Sequence, residues 1–167
     1  ISFGNYTVPG NATTYDVSGQ GDKSIVAYVP TTMYGGWWWG IQNGTELRVT
    51  DTNRDMVAFA SGNSICFKSG ASDTSTVFDN IKTINFDAVD TTRVTSAAYA
   101  FYNMKSLTTI TGLSRWDTSK ITTMNSMFKG CTGLKSLDFS SFNTKNVTDF
   151  SSMMYGCTGL SKITVAD

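Results

Sequence analysis

Histidine is absent from the 167 residues, and that closes most routes to catalysis. Ser-His and Cys-His pairs need an imidazole base, and many transition-metal centres depend on imidazole ligands. The three cysteines, Cys66, Cys131 and Cys157, cannot all pair internally, so the chain is no disulfide framework. Asp51-Thr52-Asn53-Arg54-Asp55 opens like a calcium loop, which then wants glycine at its sixth place and glutamate at its twelfth. Met56 and Gly62 stand there instead, so a polar turn between strands is expected. Asp87 and Asp90 sit in turn-like contexts where aspartate caps backbone groups, with nothing nearby to raise a pKa. No catalytic residue, metal ligand or cofactor is expected. Recognition is the chemistry that remains, and its first candidates are Tyr34, Trp37, Trp38 and Trp39, around Gly35-Gly36. Aromatic rings on glycine-flanked loops stack on sugars or anchor in protein pockets. The same run also reads as a strand that sends Trp37 and Trp39 into a core and leaves Trp38 outside.

Composition narrows the partners. Lys plus Arg and Asp plus Glu number 13 each, a formal net charge of zero, so no electrostatic footprint for nucleic acid or an anionic membrane surface is present. Charged residues make up 16% of the chain, against 19 Ser and 25 Thr; hydroxyls must supply much of the wet surface. No apolar run approaches the ~18 residues of a membrane span. The chain begins at Ile1 without a methionine, and a processed product or a piece of something longer is expected. Sequons begin at Asn5, Asn11, Asn43 and Asn146, close to the number that composition alone produces, and carry no weight as glycosylation sites.

The elements that must position any site come from a repeat. Ile121-Thr122-Thr123-Met124 aligns with Val147-Thr148-Asp149-Phe150 at an offset of 26. Met127 then meets Met153, Gly130 meets Gly156, Cys131 meets Cys157, Leu134 meets Leu160, and Leu137 meets Ile163. An earlier copy runs through Val94, Ala97, Phe101, Met104, Leu107 and Ile110 at an offset of 27, with Gly112 as the extra residue and a bulge expected there. A partial copy gives Ile81, Ile84, Phe86 and Val89. Within one unit, Ile121, Met124, Met127 and Phe128 fall on one face of a short helix. Thr95, Thr122 and Thr148 are placed to cap such helices, and Gly130 and Gly156 to end them. A turn into a short strand follows. A unit of this kind cannot bury its own apolar face, but stacked copies share a continuous core.

The expected fold is an α/β solenoid of parallel strands and short helices, with strands near 81–86, 107–113, 134–139 and 160–165. Cys131 and Cys157 would stack in adjacent coils; a bridge or a metal pair is geometrically open to them, but their repetition argues for packing as buried thiols. The outward strand positions are Thr83, Asn85, Thr109, Thr111, Ser136, Asp138, Lys162 and Thr164. They form a candidate partner surface of small, nearly neutral side chains, suited to weak or multivalent contact.

These repeats resemble the BspA-like leucine-rich-repeat surface proteins of bacteria. The likeness spans about 78–167 and rests on stretches such as Asp117-Thr118-Ser119-Lys120-Ile121-Thr122-Thr123-Met124 and Met127-Phe128-Lys129-Gly130-Cys131. The first copy departs from the pattern, with Asn103-Met104 in place of Gly-Cys and Ala97 in place of Met. The resemblance implies a leucine-rich-repeat fold, an extracellular location on a bacterial cell surface, and adhesive binding of a host or neighbouring-cell protein or glycan. It implies no enzyme activity and transfers no site residues.

Residues 1–76 carry no repeat. Short strands are expected at Ser24–Val29, Trp37–Gln42, Glu46–Thr50, Met56–Ala60 and Ile65–Lys68, with a hairpin at Asn43-Gly44. This half reads as a β-rich capping module on a solenoid of about three and a half coils over 77–167. The leading functional expectation is a non-catalytic adhesin-type binding module. The alternative is a structural subunit of a filament, surface assembly or phage particle, self-associating through the open end of its last coil.

Overall fold

Where neighbouring repeat units keep the spacing that separates Lys82 from Thr108, or Lys135 from Ser161, their strands pair in parallel. That spacing organises the second half of the chain. The computed structural model describes residues 2–3, 6–7, 24–28, 38–43, 45–50, 78–89, 91–92 and 94–166. Strands β1 (Ser2–Phe3) and β2 (Tyr6–Thr7) form a small antiparallel pair. Strands β3 (Ser24–Tyr28), β4 (Trp38–Asn43) and β5 (Glu46–Thr50) form an antiparallel meander. The expected hairpin is present: β4 and β5 pair as far as Asn43 opposite Glu46. The meander then joins the repeats. β5 lies parallel to β6 (Thr83–Ala88), and β6 lies parallel to β7 (Thr109–Thr111). A separate parallel pair follows, β8 (Ser136–Phe139) with β9 (Lys162–Val165). The strands expected at Met56–Ala60 and Ile65–Lys68, the Asp51–Asp55 turn and Cys66 lie outside the described residues.

The apolar positions of the repeat are the core. Ile81, Ile84, Phe86, Val94, Ala97, Phe101, Met104, Leu107, Ile121, Met124, Met127, Phe128, Cys131 and Leu134 are all buried, and Leu47 of β5 joins them. Equivalent rings stack on one another. Phe101 and Phe128 stack with nearly parallel planes at 5.0 Å between centroids, and Trp116 stacks on Phe142 at 6.3 Å. Strand alternation does the sorting: in β8, Ser136 and Asp138 face water while Leu137 and Phe139 face inward.

The apolar face assigned to short helices has a different backbone. Residues 98–103, 125–130 and 151–156 form runs of tight turns. Alternate N–H groups bond three residues back, as from Ala100 to Ala97 O, Tyr102 to Tyr99 O and Met104 to Phe101 O. The intervening groups donate across to the next unit: Ala97 to Thr123 O, Tyr99 to Asn125 O, Phe101 to Met127 O, Asn103 to Lys129 O. An α-helix would turn the donors beyond its first turn back on its own carbonyls and leave none of them for the next unit. The alternation needs left-handed residues, supplied by Tyr99, Ser126 and Ser152 at φ between 52° and 60°. Gly130 and Gly156 are left-handed as expected, and Asn103 takes the same conformation at φ 55° where the glycine is missing. The Asn103 departure thus preserves the backbone.

The threonine register also has another role. Thr122 donates its N–H and its hydroxyl to Thr95 O at 2.8 and 3.1 Å, and Thr148 does the same to Thr122 O. They are rungs between units, not helix caps. The residue one place on accepts locally instead: Ser96, Thr123 and Asp149 each bind the N–H two residues ahead.

Candidate functional site

Three junctions share one hydrogen-bond pattern at the start of the strands. Thr45 O accepts from Lys82 and Thr83, Lys82 O from Thr108 and Thr109, and Lys135 O from Ser161 and Lys162. The fourth junction breaks it: among the described residues no such bond links Thr108 to Lys135 or Ser136, and β7 and β8 belong to separate sheets. The break coincides with a longer step along the chain, one that the turn runs of the same junction accommodate with their hydrogen bonds intact. Thr83 to Thr109 and Ser136 to Lys162 are equal steps along the chain, and both pairs are in register. Thr109 to Ser136 is longer by one residue.

The extra residue, Gly112, is left-handed at φ 80° and opens a 3-10 turn over Leu113–Arg115. This turn stands in place of the expected bulge. A side chain at Gly112 would lie 2.3 Å from Phe86 O, and Arg115 Nη1 donates to that same carbonyl at 3.0 Å. The turn is therefore pinned over the end of β6. Behind it the two units stay joined through the turn runs, and Gly133 N still reaches Lys105 O at 3.1 Å. Only the strand face opens.

The opening is a cavity of about 210 Å³. Ile110, buried Leu113 and buried Leu137 supply its apolar lining, while exposed Thr111, Ser114, Ser136 and Asp138 supply hydroxyls and one carboxylate. Hydrogen bonds from the Ser140 hydroxyl and N–H hold the Asp138 carboxyl below its ordinary range, with nearby Lys162 adding to the effect. Asp138 therefore stays anionic under ordinary conditions.

The outward surface divides accordingly. Thr111, Ser136 and Asp138 line the cleft; Thr109 and Lys162 are exposed beside it, and Thr164 is half-buried opposite Asp138. Thr83 and Asn85 are half-buried on the far side of β7. Trp38 and Trp39 lie in β4, opposite Tyr28 and Ala27, but their side chains are outside the described residues, as are Tyr34 and Trp37. The outward strand positions leave out Leu113 and Ser114, which line the cleft beside Gly112; the lengthened spacing at Gly112 is their sequence signal.

Cys131 and Cys157 do occupy equivalent places, both as free thiols. Cys131 Sγ donates to Phe101 O at 2.9 Å and Cys157 Sγ to Phe128 O at 3.0 Å, so each thiol ties its unit to the one before. Burial pushes the Cys131 thiol up to about 12, and the neighbouring Cys157 adds to the rise. Burial also raises Cys157, which is only half-buried. A raised native pKa makes the contribution to stability complete below the unfolded value of 9.0 and lost as pH climbs toward 12. Over that interval the wild type should lose up to ~1.4 kcal/mol per pH unit more than Cys131→Ala, read by urea titrations at several alkaline pH values. Equal slopes would contradict the burial of this thiol.

Among the described residues no group of three or more Cys, Asp or Glu is placed to hold a metal, and no helix is long and apolar enough to cross a membrane. No curated protein and no solved structure matches the chain. The family described as "Mycoplasma protein of unknown function, DUF285" matches residues 72–164, a span that takes in all the repeat units and more than half of the chain. The chain belongs to that DUF285 family.

Proposed function

We propose that this chain is a non-catalytic, adhesin-type binding module of a bacterial cell surface, built as a BspA-like leucine-rich-repeat solenoid with a β-rich N-terminal cap. The observation that carries the reading is the β7–β8 cleft. It is open to solvent, amphiphilic, and placed on the outward strand face beside Thr109, Thr111, Ser136, Asp138 and Lys162. Its one carboxylate is kept ionised by Ser140 and has no acid partner, which suits recognition and not proton transfer. The Tyr34, Trp37, Trp38 and Trp39 segment is a further proposed contact.

The test is binding of the whole chain to a defined panel of extracellular-matrix proteins and purified glycans, with Ser136→Phe as the control that fills the cleft. Ser136 is exposed, so the substitution leaves the core alone. Retention of a panel member by the wild type, weakened on the order of tenfold or more in Ser136→Phe, supports the reading. A panel with no retained member, or retention indifferent to the substitution, counts against it.

One observation favours the structural-subunit alternative. In the last unit Phe150 and Ile163 are 45% exposed, Val165 65% and Tyr155 70%, an apolar set suited to self-association. A discrete oligomer in place of an 18.1 kDa monomer by light scattering would make that reading the leading one.

A further inference from the structure

The cleft presents backbone as well as side chains. Lys162 N donates to Lys135 O, and along a strand the polar backbone groups of successive residues turn to opposite edges. Ser136 and Asp138 of β8 therefore turn their N–H and C=O toward β7. By the same alternation, with Thr109 N on Lys82 O, Ile110 turns its N–H and C=O toward β8. These are the groups that would pair if the sheet were continuous. β7 is paired along one edge with β6 and β8 along one edge with β9, so among the described residues the two remaining edges are unpaired and face each other across the cavity.

Exposed strand edges in folded proteins are ordinarily blunted with lysine, proline or a bulge. Thr109-Ile110-Thr111 and Ser136-Leu137-Asp138-Phe139 carry no lysine, proline or bulge; what guards these edges is the three-residue length of β7, the Asp138 charge and the 3-10 turn beside them. The described lining also holds no aromatic ring for a sugar face to stack on. Backbone, not side chain, is the unspent recognition chemistry here.

We infer that the β7–β8 cleft binds an extended peptide segment of a partner protein by strand addition, with a basic side chain of that segment set against Asp138. Strand addition takes its affinity from main-chain hydrogen bonds and its selectivity from alternate side chains. One inward residue of the segment meets Ile110, Leu113 and Leu137, which admits a small aliphatic side chain. Its outward neighbours meet Thr111, Ser136 and the carboxylate. This rests on the binding-module reading and narrows its partner to peptide.

The experiment uses the whole chain and a blocked pentapeptide of sequence Ser-Lys-Ile-Thr-Val, which is the β9 segment 161–165 that already pairs with β8 along its other edge. Amide resonances are followed during titration. The expected result is a saturable shift of the Ile110, Ser136 and Asp138 amides together with slowed hydrogen exchange there. Ser136→Phe and, independently, Ser114→Trp should each weaken that binding on the order of tenfold or more, with the β8–β9 amides otherwise unchanged. Shifts confined to the outer edge of β9, or no shift at all, would overturn the inference. A panel glycan whose retention Ser136→Phe abolishes, with the peptide silent, would overturn the peptide assignment while the binding-module reading stood. Peptide binding at the cleft with no panel member retained would support this inference and count against the matrix or glycan partner instead.

Discussion

Phe128→Ala should lower the unfolding free energy by about 3–5 kcal/mol. The ring is fully buried. It stacks nearly parallel on Phe101 at 5.0 Å and lies tilted against Phe139 at 5.9 Å. Removing it takes away apolar burial and leaves a cavity between two units, which the flanking turn runs resist closing. Their N–H groups are committed in alternation, Phe128 itself donating to Met153 O and Phe101 to Met127 O. Against a total stability on the order of 5–15 kcal/mol, that loss is a large share. Urea titration followed by circular dichroism reads the change. Tyr155→Ala, at a ring 70% exposed, serves as the contrast and should stay within about 0.5 kcal/mol of wild type. A Phe128→Ala cost no larger than that of Tyr155→Ala would contradict the packing of the core.

Deleting Gly112 should close the cleft. The deletion turns Ile110-Thr111-Leu113 into the counterpart of Leu137-Asp138-Phe139, with Trp116 then matching Phe142 as it already does in space. Every strand-to-strand step among the repeats would then equal the one by which β6 pairs with β7 and β8 with β9. The left-handed residue that opens the 3-10 turn is gone, and Arg115 loses its perch on Phe86 O. The expected outcome is one continuous parallel ladder in which the Ser136 and Ile110 amides exchange on the order of 100-fold more slowly than in wild type. Unchanged exchange in a folded deletion variant would show that something other than the extra residue parts the strands.

Much of this organisation is legible in the sequence, and the reasons are local. The period is visible because Met127, Gly130, Cys131 and Leu134 recur in order one unit later. The buried set follows from it, since Phe101, Met104 and Leu107 at matching places must face the same core. Strand positions are close to expectation because Leu137-Asp138-Phe139 alternates as a strand does.

The turn runs are not legible, for a physical reason. Ile121, Met124, Met127 and Phe128 bury equally well on a helix or on a ribbon of turns. What separates the two is whether the Ser126 and Phe128 N–H groups bond locally or reach Ser151 O and Met153 O in the next unit. That choice depends on acceptors a whole unit further along the chain, and spacing within one unit carries no trace of it. The threonine rungs are hidden for the same reason: Thr122 belongs to Thr95 across the junction, not to its own turn. Gly112 stood out as an extra residue, but its consequence falls on the pairing of β8, the strand of the following unit. A bulge, the local expectation at Gly112, carries no information about that distant pairing, so the cleft is not legible in the sequence.

Native-state hydrogen exchange of the unliganded chain, resolved amide by amide, distinguishes an open β7–β8 cleft from a continuous sheet. With the cleft open, Ser136, Asp138 and Ile110 should exchange on the order of 100-fold faster than Leu137, Phe139 and Thr111, whose groups turn toward β9 and β6. Equal, slow exchange along both strands would mean that β7 and β8 are paired in solution. There would then be no cleft, and the binding site proposed on it would fall.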